Sequence, residues 1–314
     1  MKAVVQRRYG SAVLGELDVP VPGPGEVLLE VRAAGVDMGT WHLLSGRPYL
    51  LRFIGYGFRG PKSPVPGMDV SGVVKETGPG VSGFAPGDEV FGTCAGSFAE
   101  YAVAPATQLA RKPAGLSFAE AAAVPISGGT ALQGLREVRA GQRVLVLGAG
   151  GGVGSYGVQI AKALGAHVTG VCSTRKVELV RELGADEVVD YTVADFTGTY
   201  DLVLDCGGNR SLSRLRRASV PRGTVVLVGS ETGGSLTGGV ERALRAVLVN
   251  PFVSQKFVML ISNARGDVFD ELRALIEAGS VTPAVDRAFP LPEALDAIEY
   301  VYSRRSRGKV VVTI

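Results

Sequence analysis

Glycines recur at regular spacing between residues 141 and 165, at Gly148, Gly151 and Gly154. Backbone without a side chain can approach a pyrophosphate closely, and the first turn of a following helix offers unpaired N–H groups to the anion. The spacing is GxxGxxG rather than GxGxxG, although Ala149 is also small. Tight turns and the adenosyl-cofactor loops of methyltransferases can look similar. A bound dinucleotide is the leading interpretation because the loop lies between strand and helix patterns.

The residues after the next apolar run indicate which dinucleotide. An acidic residue about twenty positions beyond the glycines would hold the adenosine ribose diol of NADH. The chain has Ser173, Thr174, Arg175 and Lys176 there, so hydroxyls and cations are available to a 2′-phosphate and no carboxylate is expected nearby. This segment favours NADPH. The alternative is that Arg175 and Lys176 are solvated cations at the start of a helix that runs through Leu183.

Strand and helix patterns alternate around the glycine loop. A buried strand is predicted at 144–147, an amphipathic helix at 153–164 and a second strand at 167–172, which together form a βαβ unit. Further apolar runs predict strands at 187–189, 202–204 and 225–228. This alternation predicts an α/β fold with a doubly wound parallel sheet covered by helices.

The two ends of the chain have a different composition. Up to about residue 120, short β-prone runs alternate with Gly and Pro and predict an irregular barrel. An alanine-rich segment that ends at Pro125 precedes the α/β pattern, and beyond residue 257 two helices and a last strand at 309–313 are predicted. We therefore predict a first domain of residues 1–123, to which residues 258–314 return, and a central domain of residues 124–257.

Composition limits the classes of function. The 314 residues are 46% hydrophobic and 20% charged, which is typical of a globular protein, and the net charge is only +3. The one basic cluster is Arg304, Arg305 and Arg307, so nucleic acid is not expected as a partner. The sequence has no apolar run of the eighteen or so residues that a membrane span needs and no signal-peptide pattern. Three widely spaced cysteines fit reduced thiols. We expect a cytoplasmic protein without a membrane partner.

A series of motifs in a fixed order makes the chain similar to one enzyme superfamily. They are GEVLLEVRAAGV at 25–36, PGMDVSGVV at 66–74, PGDEVFG at 86–92, GSFAEY at 96–101, AAAVPISGGTALQGL at 121–135, the glycine run at 141–165, LGADEVVDY at 183–191, PRGTVVLVG at 221–229 and GKVVV at 308–312. The chain resembles the medium-chain dehydrogenase/reductase superfamily, in its zinc-independent quinone oxidoreductase branch. The resemblance implies a GroES-like β-barrel catalytic domain built from both chain ends, a Rossmann domain between them, NADPH in the cleft and a homodimer.

The resemblance also implies cofactor contacts. The family's 2′-phosphate contacts fall on Ser173, Lys176 and Tyr191, which agrees with the prediction made above from charge. The other implied contacts are Gly151, Gly152 and Val153 at the pyrophosphate with Gly154 closing the turn, Thr130 beside the nicotinamide, the strand-end residues Cys206, Gly207, Gly229 and Ser230, and Lys309 in GKVVV. For Lys309, the alternative is a solvated lysine before a terminal strand.

The motifs also bear on a metal. Zinc-dependent members of the superfamily need Cys and His ligands, and the matching positions here hold Asp37, Met68 and, approximately, Ile126. We therefore expect no catalytic zinc. Without that Lewis acid, an enone or a quinone becomes the better hydride acceptor, because it spreads the developing negative charge over more atoms.

Tyr49 is the candidate for the proton donor. An ordinary phenol keeps its proton at pH 7 and can donate a hydrogen bond to the acceptor oxygen, and Tyr49 lies in a segment, WHLLSGRPYLL, that lines the cleft in the resembling proteins. The alternative is that Tyr49 packs with Trp41 and Leu50 at the rim. The following segment, 50–63, either caps the cleft or is a surface loop.

Asp37 and Thr40 are the other catalytic candidates, because the resembling proteins usually carry Asn and Asp at these positions. An ionised Asp37 cannot donate a hydrogen bond and would oppose enolate formation, whereas a buried, protonated Asp37 could act as an acid. One hypothesis is that a carboxylate has moved by one helical turn. The other is a cationic or unusual substrate that favours a negative neighbour.

Three functions are therefore considered. The first is an NADPH-dependent reductase of small apolar quinones or enones. The second is an NADPH-binding sensor or structural protein with little turnover, which the change at Asp37 and Thr40 would permit. The third, an adenosyl-methionine methyltransferase, is disfavoured by Arg175 and Lys176, because such an enzyme would carry an acidic residue there.

Overall fold

The computed structural model describes residues 1–229, 234–263 and 265–314, and these residues form two compact units. Unit 1 consists of Met1–Gly129, Asn263–Gly279 and Pro283–Ile314, and unit 2 consists of Thr130–Ser262 and Ser280–Thr282.

The described strands and helices follow one another along the chain. The strands are β1 Lys2–Arg8, β2 Ser11–Glu16, β3 Glu26–Val36, β4 Asp69–Thr77, β5 Glu89–Thr93, β6 Tyr101–Pro105, β7 Leu109–Arg111, β8 Arg143–Leu147, β9 His167–Cys172, β10 Glu187–Asp190, β11 Tyr200–Asp205, β12 Ser219–Leu227, β13 Lys256–Met259, β14 Val285–Pro290 and β15 Lys309–Thr313. The helices are α1 Met38–Ser45, α2 Phe118–Ala122, α3 Pro125–Gly134, α4 Gly152–Ala163, α5 Val177–Glu182, α6 Leu212–Arg217, α7 Val240–Val249, α8 Gly266–Glu277 and α9 Ala294–Tyr302. Among the described helices, none combines the length and apolarity needed to cross a membrane.

Unit 2 is built on six parallel strands in the order β10-β9-β8-β11-β12-β13. The side chains of Val144–Leu147 and Leu202–Leu204 are buried, as expected of central strands that are covered on both faces. The chain order reverses between β8 and β11, and open α/β sheets bind ligands at the carboxyl ends of the strands beside such a reversal. The predicted doubly wound Rossmann sheet is confirmed.

Unit 1 centres on the long strand β3. Its first half pairs with β6, its second half pairs with β15, and β4 lies along most of its other side. Register shifts at Leu28/Leu29 and at Val31/Ala33 interrupt the β3–β4 ladder, and such bulges bend a sheet. A separate hairpin, β1-β2, packs into the same core through Ala3 and Val4. The α/β class with a GroES-like domain is confirmed.

The bounds of the two compact units differ from the predicted domain boundaries at both ends of unit 2. The first boundary falls inside α3, between Gly129 and Thr130, rather than before that helix. The second prediction, between residues 257 and 258, would cut through β13, which pairs with β12 and so belongs to the sheet of unit 2. The sequence did not predict β13, because its four residues are too few to show the apolar run or alternation of a strand.

Candidate functional site

The glycine loop joins β8 to α4 at the carboxyl end of the unit 2 sheet. Gly148 has a φ of 79°, a conformation that favours glycine. Its N–H and that of Ala149 each donate to the carbonyl oxygen of Val171 at 3.0 Å, and the N–H of Gly151 donates to the carbonyl of Gly148 at 3.0 Å. The helix then begins at Gly152, after a cap residue without a side chain. The first-turn N–H groups of α4, which have no acceptor within the helix, are therefore left without a side-chain cap.

Two further glycines allow close approaches around this loop. A Cβ at Gly154 would lie 2.1 Å from the carbonyl oxygen of Gly148, so glycine is needed for α4 to start this close to the loop. A Cβ at Gly150 would lie 2.7 Å from Cβ of Lys176, so the stem of that lysine passes over the loop. Bare backbone, a helix N-terminus and a neighbouring cation fit a dinucleotide pyrophosphate. The contacts predicted for Gly151, Gly152, Val153 and Gly154 stay predictions.

The residues predicted to hold the 2′-phosphate lie together at the ends of β9 and β10. Ser173 precedes a 3-10 turn over Thr174–Lys176, in which the Lys176 N–H donates to the Ser173 carbonyl at 2.8 Å. The N–H of Tyr191 donates to the Cys172 carbonyl at 3.0 Å, so the backbone of Tyr191 lies next to the end of β9, and its side chain is exposed. Arg175 is exposed, whereas Lys176 is half-buried over the glycine loop. The geometry thus distinguishes two cations that the sequence treated alike.

A carboxylate lies near this segment, contrary to the prediction. Asp190 ends β10, which pairs in parallel with β9, so Asp190 lies opposite Cys172. Its Oδ1 accepts hydrogen bonds from the Thr192 N–H at 2.9 Å and the Thr192 hydroxyl at 2.7 Å. A hydrogen bond from the Thr174 side chain is the main cause that lowers the pKa of Asp190. The prediction failed because the carboxylate comes from the neighbouring strand, and its oxygens are engaged by hydroxyls.

A buried ion pair supports the loop after β11. Asp205 is fully buried, and its Oδ2 lies 2.6 Å from Nη2 of Arg242 in α7, while its Oδ1 accepts from the Gly208 N–H at 2.9 Å. These bonds fix the loop that contains Cys206 and Gly207, both predicted cofactor contacts. A Cβ at Gly148 would lie 3.3 Å from the Gly207 nitrogen, so the loops after β8 and β11 are neighbours. Asp205 and Arg242 were missed because no short motif links them.

The other predicted cofactor residues of unit 2 differ in position and in burial. Thr130 lies in α3 and is buried, and Gly229 is exposed after β12. Ser230 lies outside the described residues. The roles of these three residues stay predictions.

In unit 1, Asp37 caps helix α1. Its Oδ1 accepts from the Thr40 N–H at 2.9 Å and from the Thr40 hydroxyl at 3.3 Å. Its Oδ2 is buried and has no hydrogen-bond partner in the described part of the chain. The two residues that differ from the resembling proteins therefore contact each other, and one buried carboxylate oxygen is left without a hydrogen bond in the described part of the chain.

Two further polar side chains lie within electrostatic reach of Asp37. Burial, the Asp37 carboxylate and Tyr9 together raise the pKa of Tyr56, in that order of importance. Burial lowers the pKa of His42, against smaller opposite effects of the Arg47 carbonyl and Asp37. Nδ1 of His42 lies 2.6 Å from that carbonyl oxygen, which can only accept, so Nδ1 carries the proton. Tyr56 was not among the sequence candidates, because the motif match indicated only Tyr49.

The ring of Tyr49 has guanidinium groups close to it. The Arg52 guanidinium lies 4.8 Å from its ring centroid and also 4.3 Å from the ring of Tyr9. Trp41 stacks instead on Tyr302, with centroids 4.4 Å apart. The suggested packing of Tyr49 on Trp41 is therefore replaced by cation–π contacts, and the donor role of Tyr49 stays a prediction.

Lys309 has a different partner from the one predicted. Its Nζ lies 3.1 Å from Oδ2 of Asp69, and the two side chains are 1% and 0% exposed. Oδ1 of Asp69 accepts from the Ile126 N–H at 2.8 Å, which ties the start of α3 to β4 and β15. The Lys309 ammonium is thus engaged by Asp69 inside unit 1, and its predicted cofactor contact stays a prediction. Lys309 is not the solvated lysine of the alternative.

The positions that hold zinc in the resembling proteins contain other side chains. Asp37 and Met68 both lie against Gly39, where a Cβ would meet Cε of Met68 at 2.6 Å and Oδ1 of Asp37 at 3.0 Å. Within the described ranges, no three His, Cys, Asp or Glu side chains are grouped as a metal site would require. The expectation of metal-free catalysis stays a prediction.

Comparison with known proteins gives consistent matches. Residues 23–114 match the model of the alcohol dehydrogenase GroES-like domain, and residues 183–312 match the model named zinc-binding dehydrogenase. The chain is 32% identical to the chloroplast envelope quinone oxidoreductase homolog of Arabidopsis thaliana, over 99% of this chain and 98% of that one. It is 33% identical to the chloroplastic NADPH-dependent alkenal/one oxidoreductase of the same plant, over 99% of this chain and 79% of that one.

The fold is similar to that of a solved quinone oxidoreductase from Coxiella burnetii. The TM-score is 0.87 at 26% sequence identity, over 100% of this chain and 99% of that one. The similarity therefore extends over both units.

Proposed function

Because the chain belongs to the medium-chain dehydrogenase/reductase superfamily, as a member of the quinone oxidoreductase type, we propose that it transfers a hydride from NADPH to a quinone or an α,β-unsaturated carbonyl. The chain is an oxidoreductase, and NADPH is its cofactor. The observation that carries the proposal is the bare glycine cradle at the start of α4, with the stem of Lys176 across it.

NADPH, when bound, supplies the hydride at C4 of its nicotinamide. We propose that the first turn of α4 binds the pyrophosphate and that Ser173, Lys176 and Tyr191 bind the 2′-phosphate. The buried Asp205–Arg242 pair holds the loop after β11 in place through the hydrogen bond from the Gly208 N–H to Asp205. The task of unit 2 is thus to bind and orient the cofactor.

We propose that unit 1 stabilises the acceptor oxygen without a metal. Negative charge develops on that oxygen as the hydride arrives, so a proton donor is needed near it. Burial and, to a smaller extent, Asp37 raise the pKa of Tyr56 above that of an ordinary phenol, so Tyr56 is a neutral hydrogen-bond donor at pH 7. Oδ2 of Asp37 would accept a hydrogen bond from the phenol or from a substrate hydroxyl. A conjugated acceptor suits a donor of this modest strength.

The direct test is anaerobic mixing of the full chain with NADPH, followed by a panel of benzoquinones and enones. Nicotinamide fluorescence reports binding, and absorbance at the reduced nicotinamide band reports oxidation. The proposal expects both. Binding without oxidation across the panel would support the alternative of an NADPH-binding sensor, which the buried, unpartnered Asp37 oxygen favours because it opposes negative charge nearby. Absence of binding would overturn both.

Substitution of Lys176 with Met is expected to weaken NADPH binding about ten- to hundredfold, because a charge-assisted hydrogen bond contributes roughly 1.5–3 kcal/mol. Met keeps the stem that covers Gly150 and removes only the ammonium group. NADH affinity should change little, and calorimetric titration with both cofactors gives the comparison.

The matched control for Lys176 is Arg175→Met, which removes the exposed neighbouring cation. A solvated Arg175 should matter much less than Lys176 for NADPH. Equal losses for the two variants, or equal losses of NADPH and NADH in the Lys176 variant, would contradict a specific 2′-phosphate contact.

We further propose a homodimer that forms through the apolar side chains beside the β13 edge of unit 2. In the described chain β13 pairs only with β12, so β13 is the edge strand of the sheet. The Asn250 side chain occupies the outward N–H and C=O of Phe257 with hydrogen bonds of 2.8 and 2.9 Å, so the proposed contact is made by side chains rather than by an added strand. Leu248 and Phe252, in α7 and in the turn after it, are 72% and 84% exposed, and exposed apolar side chains that lie together are typical of an interface.

Substitution of Phe252 with Asp is expected to convert the dimer to a monomer, because a charge would be buried without a partner at the interface. Light scattering coupled to size-exclusion chromatography measures the mass. The control is Val193→Asp, an exposed apolar residue after β10. A wild-type mass of a single chain would overturn the dimer, as would a Phe252 variant of unchanged mass.

We also propose that the protein works in the cytoplasm. Cys94 and Cys172 are buried thiols, and burial is the main cause that raises the pKa of Cys94 to about 12 and that of Cys172 to about 11. Thiols of this kind persist in a reducing compartment. Cell fractionation of a tagged chain tests the location.

A further inference from the structure

Two phenylalanines of unit 1 are exposed side by side. Phe53 lies in a short helical turn, Arg52–Tyr56, and Phe58 follows it. Their ring centroids are 5.1 Å apart, and the residues are 69% and 64% exposed. The two rings therefore lie together and remain largely exposed, and exposed aromatic rings that lie together are typical of an interaction site.

The chain segment that carries this pair is basic. Residues 38–68 contain Arg47, Arg52, Arg59 and Lys62 but neither Asp nor Glu, and residues 1–15 contain Lys2, Arg7 and Arg8 but again no acid. The net charge of the whole chain is only +3, so this concentration of positive charge is local. Composition alone does not reveal it, because the two segments are separate in the sequence.

The fold brings the two segments together. The Gln6 N–H donates to the Pro64 carbonyl at 2.7 Å, and the Tyr9 hydroxyl donates to the Gly57 carbonyl at 2.7 Å. The strand β1 therefore runs beside the segment that carries the phenylalanines. We call the exposed side chains of Arg7, Arg8, Phe53, Phe58, Arg59 and Lys62 the basic aromatic surface. Within the described ranges, none of its four cations has an ion-pair partner.

We propose that the basic aromatic surface docks unit 1 on an anionic lipid surface. Aromatic rings settle at the boundary between headgroups and acyl chains, and each Lys or Arg near an anionic membrane adds attraction of its own. A purely electrostatic partner, such as an acidic protein, would account for the cations but not for the exposure of the two aromatic rings. The docking does not depend on the proposed reductase activity. It would bring the protein to the phase in which apolar acceptors dissolve.

The test is co-sedimentation of the full chain with vesicles of phosphatidylcholine, with and without phosphatidylglycerol. Binding to the anionic vesicles is expected, with little binding to phosphatidylcholine alone and a steep loss as salt is raised. Arg59→Ser with Lys62→Ser should lower the partition coefficient on the order of thirtyfold, from two lost attractions. Phe53→Ser with Phe58→Ser should lower it at least tenfold and leave the salt dependence in place.

Matched controls lie elsewhere on the chain. Arg216→Ser with Arg217→Ser removes two exposed cations of unit 2, and Val19→Ser with Val21→Ser removes two exposed apolar residues of unit 1. Both should bind vesicles like the wild type, and all variants should keep the wild-type melting temperature and NADPH affinity. No wild-type binding to anionic vesicles would overturn the proposal. So would equal losses in the controls, or capture by polyglutamate in place of vesicles.

Discussion

Substitution of Lys309 with Met is expected to lower the free energy of unfolding by about 3–5 kcal/mol. The Lys309 ammonium and the Asp69 carboxylate are both buried in unit 1, and Nζ lies 3.1 Å from Oδ2. Met fills much of the same space, so the loss comes from a carboxylate left in the core without its counter-charge. Urea-induced unfolding at pH 7 measures the difference.

Two controls separate this effect from a general loss of charge. Lys75→Met breaks an exposed pair with Glu30, whose N–O distance is 2.9 Å, and should cost no more than about 1 kcal/mol. The double variant Asp69→Asn with Lys309→Met should recover much of the loss, because no unpaired charge remains and an Asn oxygen can still accept from the Ile126 N–H. A Lys309 variant as stable as the Lys75 variant would contradict a tightly coupled buried pair.

The same pair should make stability depend on pH. Burial raises the pKa of Asp69 to about 6, Lys309 partly opposes this effect, and the Asp37 carboxylate adds to it. The folded chain thus holds this proton more tightly than the unfolded chain, whose Asp pKa is about 3.9, so the contribution of Asp69 to stability falls as pH rises from about 4 to about 6.

Other carboxylates have the opposite effect. Arg111 is the main cause that lowers the pKa of Asp88, for example, so that group loses stabilising energy as pH falls. The free energy of unfolding of the wild type minus that of the double variant isolates the contribution of Asp69. This difference should decrease as pH rises from about 4 to about 6. A difference that is constant with pH would show that Asp69 does not titrate there.

The features that could be predicted from the sequence are local ones. The glycine loop follows a buried strand and opens a helix within a few residues, so strand, turn and helix could be predicted together. The apolar runs of β8 and β11 likewise indicated a sheet covered on both faces, and the observed strand order confirms it. Lys176 was predicted beside a 2′-phosphate from its place after β9. That its stem crosses Gly150 is a consequence of the turn and not of the pattern.

The features that could not be predicted depend on contacts between distant segments. Asp69 and Lys309 are 240 positions apart, and no spacing rule connects them. Asp190 reaches the segment after β9 because the sheet places β10 next to β9, which composition cannot show. Asp37 and Thr40 are different, since an Asp three residues before a helical N–H is the ordinary pattern of a helix cap. The resemblance indicated a catalytic role for Asp37 and Thr40, and the helix cap that they form was not predicted.

Substitution of Tyr56 with Phe is expected to lower kcat/KM for enones by about a hundredfold, at the low end of what a positioned proton donor contributes. The phenol is half-buried within electrostatic reach of Asp37, and its pKa is raised, so it is present as a neutral hydrogen-bond donor at pH 7. An enolate oxygen is more basic than the oxygen of a reduced quinone, so the loss should be smaller for quinones. NADPH affinity should not change, because the cofactor residues we propose lie in unit 2.

The matched control is Tyr49→Phe, which removes the hydroxyl of the other candidate and keeps the ring beneath the Arg52 guanidinium. If Tyr56 donates the proton, the Tyr49 variant should stay within a few-fold of the wild type, and only the Tyr56 variant should lose more activity with enones than with quinones. The reverse order would assign the donor to Tyr49. Wild-type turnover by both variants would mean that solvent or Asp37 protonates the product, and the Asp37→Asn variant would then distinguish these two. A neutral amide at position 37 should stop turnover only if the carboxyl group itself carries the proton.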